Sequence, residues 1–177
     1  MSDTTTETTA PEDQRTGPHA PERVAGYRNV MATFVGVTAA GTLVVDRLRP
    51  VPHVGPPRTR TEEWSDVLLV GLATHRLARL VTKDRVSTPL RAPFTRYEGP
   101  AGPGEVNEQP VGTGWRRSVG ELLSCPFCIA VWLATASWFG LQLAPRLTRS
   151  ALRAAGAVAI ADALQFVYVD LEHRAEG

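Results

Sequence analysis

The stretch LLSCPFCIAVWLATASWFGLQLAP, residues 122–145, decides the fold of this chain. It contains no charged residue, and it holds both cysteines and two of the four tryptophans. As an α-helix its 24 residues would rise about 36 Å, whereas roughly 20 apolar residues cross the hydrocarbon core of a bilayer. We therefore predict a membrane-spanning helix over 122–145, with a Cys-Pro-Phe-Cys pair at its N-terminal end.

Two further apolar runs predict two further spans. Residues 30–45 carry no charge and are flanked by polar residues, which predicts a span over 27–46. Near the C-terminus, an alanine-rich apolar run predicts a helix over 151–171 that returns antiparallel to the cysteine-bearing helix. On the first of these helices Ala32, Gly36 and Ala40 recur at every fourth residue, a small-residue stripe that lets another helix approach closely. Besides the bilayer, the expected partner is a second copy of the chain or another membrane protein.

A fourth helix, over 63–83, carries charge and is no ordinary span. Its second half contains His75, Arg76 and Arg79. An arginine at a helix centre costs about 2.5–3.5 kcal/mol on the insertion scale, and each leucine returns only about 0.3–0.6 kcal/mol. The helix therefore either enters the bilayer partway, or crosses it and pairs its arginines with an acid from another helix. His75 is a ligand or proton carrier in one interpretation and an interfacial hydrogen-bonding residue in the other.

Asp162 supplies the acid that such a pairing requires, because it interrupts the apolar run of the last predicted helix. A carboxylate inside a membrane is a candidate functional residue, and it normally pairs with an oppositely charged or polar group. We expect Arg76 or Arg79 to be that partner, with His75 third. The pair is either part of a proton or ion path or a structural ion pair.

Residues 84–117 predict a long loop rich in proline and glycine. Eight basic residues lie between Arg76 and Arg117, and the positive-inside rule therefore places this segment in the cytoplasm. Such a segment can contact anionic lipid headgroups. No strands of consequence are expected in it.

Cys125 and Cys128 allow three interpretations. In the first they perform thiol–disulfide chemistry, with Cys125 attacking and Cys128 resolving, since a thiol at a helix N-terminus has a lowered pKa. A cytoplasmic location argues against that, because thiols stay reduced there. In the second they are half of a tetrahedral zinc site that a homodimer completes. In the third they are small residues that pack at a helix start. The sequence predicts no cofactor, although zinc at these two cysteines is possible.

The rest of the chain sets the boundaries of the domain. Residues 1–24 are rich in threonine, proline and acidic residues and predict a disordered tail, which leaves 25–175 as one helical membrane domain. The net charge of +1 argues against a nucleic-acid partner. The lipid bilayer is the expected environment, and the predicted location is the cell membrane, crossed several times.

Two segments of the chain resemble a known family. ATHRLARLVTKDRVSTPLRAPFTRYEGP and VGELLSCPFCIAVWLA are similar to the bacterial family called domain of unknown function 1360, and the resemblance extends over about residues 64–168. It implies a bacterial integral membrane protein of actinobacterial type. It implies no activity, because the family has none assigned.

These observations predict an all-α integral membrane bundle of three to four helices with a long proline- and glycine-rich cytoplasmic loop. The favoured function is a non-enzymatic membrane component that acts through helix packing and its basic loop. The alternatives are a membrane thiol–disulfide oxidoreductase and a thiolate metal-binding protein, both of which would use the CPFC motif.

Overall fold

A computed structural model describes residues 21–48 and 59–176 of the chain. The elements in chain order are α1 (Pro21–Leu48), α2 (Arg60–Thr82), a 3-10 turn (Arg85–Ser87), α3 (Thr88–Arg91), β1 (Thr95–Gly102), β2 (Glu105–Pro110), α4 (Gly114–Ser124), α5 (Pro126–Leu143) and α6 (Pro145–Glu176). Most of the predicted disordered tail lies outside the described residues, and its last four residues form the first turn of α1. The predicted helical membrane bundle is confirmed, with one small sheet added to it.

Three helices are long and apolar enough to cross a membrane: Arg23–Leu48, Pro126–Leu143 and Pro145–Ala175. At most 11% of the apolar window of any of them is buried inside the chain. Helices that are apolar on nearly all sides and yet unburied in their own chain are typical of membrane spans. The charged helix α2 is not among these three, and it packs against both α5 and α6.

Contacts along α1 and α5 show that these two helices run parallel. The rings of Phe34 and Trp132 meet edge to face, with centroids 5.0 Å apart. Seven residues later on both helices, Gly41 lies against Phe139. A Cβ atom at Gly41 would come within 2.7 Å of that ring, so glycine is what permits this close approach.

Helices α2 and α6 also run parallel, and ion pairs fix their register at both ends. The carboxylate of Asp66 accepts two hydrogen bonds from Arg149, at 3.1 and 3.0 Å. At the other end, Arg76 Nε lies 3.0 Å from Asp162 Oδ2. Between the two pairs, Gly156 of α6 faces leucine side chains of α2. Since α5 and α6 form an antiparallel hairpin, the four long helices alternate in direction along the chain.

The start of α2 is set by a capping box, three residues before the predicted start. Thr59 Oγ1 accepts a hydrogen bond from the Glu62 backbone N–H at 3.3 Å, and Glu62 Oε2 accepts one from the Thr59 backbone N–H at 2.8 Å. This reciprocal pair satisfies two of the donors that a helix start leaves open.

The predicted cysteine helix is divided at Cys125, which separates α4 from α5. Cys125 has an extended backbone (φ −109°, ψ 108°), and Pro126 opens α5. Proline is favoured at the first helical position because its missing N–H would have no partner there. The turn that follows α5 is also tighter than expected, because the second helix of this hairpin, α6, begins at Pro145, directly after Ala144.

The expectation that no strands of consequence occur is wrong for residues 95–110, which form an antiparallel hairpin. Its turn contains Gly104 at φ +75°, a conformation that glycine adopts without strain. The tip of the hairpin docks on the end of α2 through two backbone hydrogen bonds, from Val106 N to Lys83 O at 2.9 Å and from Arg85 N to Gly104 O at 3.0 Å. Together the 3-10 turn, α3, the hairpin and α4 form an ordered cap, residues 83–124, on one end of the bundle.

Candidate functional site: an ion-paired cap on the helix bundle

The ion pair of Asp162 lies at the cap end of the bundle. Gly140 and Thr148 are neighbours where α5 turns into α6. Pro126 lies 14 residues before Gly140 and Asp162 lies 14 residues after Thr148, so each is about 21 Å from that contact along its helix. Asp162 is therefore level with the N-terminal end of α5. In the sequence this acid lies near the middle of an apolar run. The register of α6 against α5 instead places it at the level where α5 begins, near the cap.

Arg76 bridges the bundle and the cap. Its Nη2 donates to Asp84 Oδ2 at 2.7 Å, and its Nε lies 3.0 Å from Asp162 Oδ2. Of the three partners expected for Asp162, Arg76 is the one that the structure places against it. Arg79 instead binds Glu105 of β2, with distances of 3.0 and 2.5 Å to the same oxygen. His75 is exposed on α2.

Arg91 is the centre of the cap, and its side chain has no exposed surface. The guanidinium makes two hydrogen bonds to Glu108, at 2.9 and 3.0 Å. Its remaining N–H groups donate to the carbonyl oxygens of Val81 at 2.7 Å and Asp84 at 3.1 Å and to the hydroxyl of Ser87 at 2.6 Å. All five donors of the arginine therefore have acceptors. The cap folds around this side chain, so Arg91 is not available to a ligand.

Glu108 completes the centre of the cap and is ionised there. Its Oε2 also accepts a hydrogen bond from the Thr95 hydroxyl at 2.6 Å. Burial opposes the charged form, but the hydrogen bonds from Arg91 and Thr95 outweigh it and hold the pKa of the Glu108 carboxyl below its usual range. A buried charge pair of this kind is strongly destabilising to break, because the remaining charge loses its partner.

The predicted basic loop is less basic at its surface than its composition suggests. Of the eight basic residues between Arg76 and Arg117, four form ion pairs with carboxylates: Arg76, Arg79, Arg91 and Arg117. A fifth, Arg116, donates to the carbonyl oxygen of Pro93 at 2.9 and 2.6 Å. Within the described part of the chain, the three remaining basic residues, Lys83, Arg85 and Arg96, have no ion pair.

Cys125 and Cys128 are joined in a disulfide at the start of α5. Cys125 is half-buried and caps the helix by accepting a hydrogen bond from the Cys128 backbone N–H at 3.2 Å, whereas Cys128 is exposed. Phe127, between them, is 86% exposed. Zinc binds thiolates, so the pair would have to be reduced before it could hold a metal. In the described ranges there is no group of three or more His, Cys, Asp or Glu residues that could hold a metal ion.

Sequence reasoning missed the residues that build the cap. It counted Arg91 among the surface charges of a loop, and it assigned no role to Glu108, Asp84 or Glu105. The available signal was the four acids between Arg76 and Arg117, which offset half of the eight basic charges there. Opposite charges within one proline-rich segment are compatible with internal ion pairs. However, Arg91 and Glu108 lie 17 residues apart in the sequence, and Arg79 and Glu105 lie 26 residues apart, so no local sequence pattern identifies these pairs.

Comparison with known proteins places this cap within a recognised sequence region. The family model described as "Protein of unknown function (DUF1360)" matches residues 69–168, which include the whole cap, the disulfide and both partners of the Arg76–Asp162 pair. The chain is also similar to "Sporulation protein YjcA" of Bacillus subtilis (strain 168), with 42% identity over 71 residues. That similarity covers 38% of this chain and 60% of the relative, so the chain spans well under the full length of the curated protein it matches. No solved structure matches the chain.

Proposed function

The chain belongs to the DUF1360 family, and from that premise we propose that it is a non-enzymatic, multi-pass protein of the cell membrane. In this proposal the spans hold an ordered cap at the membrane surface, and the cap is the functional part of the molecule. The observation that carries the proposal is the complete internal satisfaction of Arg91. A guanidinium whose five donors are all bound to protein groups supports a structural role rather than substrate binding.

Charge distribution supports a cytoplasmic location for the cap. Eight basic residues lie between Arg76 and Arg117, against four in the sequence from Arg47 to Arg60 that joins α1 to α2 and two at the start of α6, Arg146 and Arg149. The positive-inside rule counts Lys and Arg near span ends and takes little account of acidic residues. The ion pairs inside the cap therefore do not weaken the argument for a cytoplasmic cap. With four alternating helices, both termini then lie in the cytoplasm.

Two helix surfaces remain open for the helix packing that the proposal includes. Ala32, Gly36 and Ala40 are exposed on α1, and a Cβ atom at Gly36 would meet nothing within 4 Å. The last part of α6 is also exposed, over residues 163–175. We predict that a second copy of the chain or another membrane protein packs on these surfaces.

The disulfide favours a second candidate function, thiol–disulfide exchange. Disulfides on a cytoplasmic face are usually transient and either catalytic or redox-sensing, so an oxidised pair at a cytoplasmic cap fits such chemistry. In the half-reaction that this disulfide supports, a dithiol substrate would give up two electrons and two protons, its own disulfide would form, and Cys125 and Cys128 would become thiols. The helix N-terminus favours the thiolate that the reverse step needs.

A deletion strain of the host separates these functions. We expect the wild-type protein to remain in membranes after alkaline washing, and C125S/C128S to restore whatever defect the deletion causes. R91L should fail to restore it, because the cap loses its centre. The redox function predicts the reverse for the cysteines, namely that C125S/C128S is present in membranes at the wild-type level and yet fails. Recovery of the wild-type protein in the soluble fraction would contradict both.

A further inference from the structure

We infer that the segment from the C-terminal end of α2 through α3 is a binding site for anionic phospholipid headgroups. The site is an amphipathic strip made of Lys83, Arg85, Val86 and Leu90. The inference rests on the proposed membrane location of the bundle and adds a ligand class to it. Three observations carry it: the orientation of the strip, its unneutralised charge, and its depth relative to the spans.

One side of this segment is buried against the cap, and the opposite side is exposed. Ser87 and Arg91 are buried, one helical turn apart, and they hold the segment against the last turn of α2. On the other side Val86 is 77% exposed and Leu90 is 66% exposed, again four residues apart. Exposing two aliphatic side chains to water is unfavourable, whereas the acyl boundary of a bilayer would cover them.

The charge on the strip is positive because its acidic neighbours are already neutralised. Asp84 is bound by Arg76, and Glu105 is bound by Arg79, so both carboxylates serve the arginines of α2. Lys83 and Arg85 have no carboxylate partner among the described residues. Two cations beside two exposed aliphatic residues match a surface that offers phosphate groups above hydrocarbon.

The depth of the strip is that of the lipid headgroups. The Ser87 hydroxyl donates to the carbonyl oxygen of Leu80, and Arg91 donates to that of Val81 at 2.7 Å. Leu80 lies one turn beyond Arg76, whose partner Asp162 is level with the start of α5. The strip is therefore about 6 Å beyond the level at which the span α5 begins. The headgroup region extends about 5–8 Å beyond the hydrocarbon on each side, so the strip lies within it.

Lipid retention in nanodiscs tests this site on the full-length protein. The discs contain equal amounts of phosphatidylglycerol and phosphatidylcholine, and native mass spectrometry measures the ratio of the two lipids that stay bound after gentle detergent extraction. A basic residue at an anionic surface contributes about a fivefold preference. We expect wild type to retain phosphatidylglycerol preferentially, and K83Q/R85Q to lower the ratio about twenty-fivefold.

Two further variants and one competitor complete the test. R96Q/R174Q removes two exposed cations outside the strip at the same end of the molecule, and it should keep the wild-type ratio. V86S/L90S should lower the number of lipids retained without adding or removing charge. Inorganic phosphate, added at the lipid concentration, should displace nothing, because the site needs the hydrocarbon as well as the phosphate.

The outcomes that overturn the inference differ from those that overturn the membrane location. A wild-type lipid ratio near one, an equal loss in R96Q/R174Q, no loss of lipid in V86S/L90S, or displacement by free phosphate would each overturn the lipid site while the protein remains in the disc. Failure of wild type to enter the disc at all would instead overturn the proposed function.

Discussion

Arg91 and Glu108 meet in a two-point ion pair inside the cap, with Nε 2.9 Å from Oε2 and Nη2 3.0 Å from Oε1. The exposed fraction is 0% for the arginine side chain and 4% for the glutamate side chain. The pair joins α3 to β2 across 17 residues of sequence. It makes a proline- and glycine-rich segment behave as one folded unit rather than as a flexible loop.

Replacing Glu108 with Gln should unfold the cap without unfolding the bundle. The substitution leaves the buried Arg91 without its counter-charge, a change that costs about 3–5 kcal/mol. Limited proteolysis in detergent should then cut within the cap, while the fragments that hold the spans stay intact. Glu98 is exposed on β1, so E98Q is the matched control and should change stability by less than about 0.5 kcal/mol. Equal proteolysis of E108Q and wild type would contradict the structural role of the pair.

The same carboxylate makes the cap sensitive to acid. Because the pKa of Glu108 is lowered in the folded protein, the unfolded chain takes up this proton at a higher pH than the folded chain. The stabilisation is therefore fully present above the ordinary carboxyl range, near pH 4.5, and is lost as the pH falls through the lowered pKa. Protease resistance of the cap, measured from pH 7 down to pH 3, should fall in wild type. In E108Q it should be low throughout and should change less.

Most of the fold could be predicted from the sequence, because three apolar runs, two of them without any charge, determine three helices. The cap could not. Strand β1 contains Gly99 and Pro100 and is interrupted by two register shifts, so it has no clean alternation of apolar and polar residues. Its stability comes from buried polar contacts between distant residues. The break at Cys125 was in principle readable from Pro126, which begins helices more readily than it continues them.

Asp162 should contribute little by itself, although it is an ion-pair partner of Arg76. Its side chain is 41% exposed, and Arg76 keeps Asp84 when it is removed. We expect D162N to lower thermal stability in detergent by about 0.5–1 kcal/mol. A double-mutant cycle with R76Q measures the coupling between the two residues. A coupling near zero would mean that this pair does not set the register of α2 and α6. The control for the loss of a surface charge is D170N, which alters an exposed ion pair with Arg174.

The two glycines Gly36 and Gly41 of α1 should respond differently to one added methyl group. At Gly41 the new Cβ atom would lie 2.7 Å from the Phe139 ring, whereas at Gly36 it would meet nothing within 4 Å. Overpacking of this kind costs about 1–3 kcal/mol. We expect G41A to weaken the association of α1 with α5, seen as a lower melting temperature in detergent, and G36A to be close to wild type. A larger effect at Gly36 would indicate that a partner covers that face.

The state of the cysteines can be measured by thiol labelling. Because Cys125 and Cys128 form a disulfide, denatured protein prepared without reductant should incorporate no maleimide, and prior reduction should allow two labels per chain. If the pair is structural, C125S/C128S should keep the cap protease-resistant. Full labelling before reduction, in protein acid-quenched directly from cells, would show that the pair is a dithiol in the cell.

The central claim is that the cap lies on the cytoplasmic side of a bundle that crosses the membrane. Single cysteines in a C125S/C128S background test it directly, at Pro103 in the hairpin turn and at Arg146 at the opposite end, both of which are exposed. A membrane-impermeant maleimide applied to intact cells should label R146C and leave P103C unlabelled until the cells are opened. Labelling of P103C from outside, or of both positions only after lysis, would contradict the account.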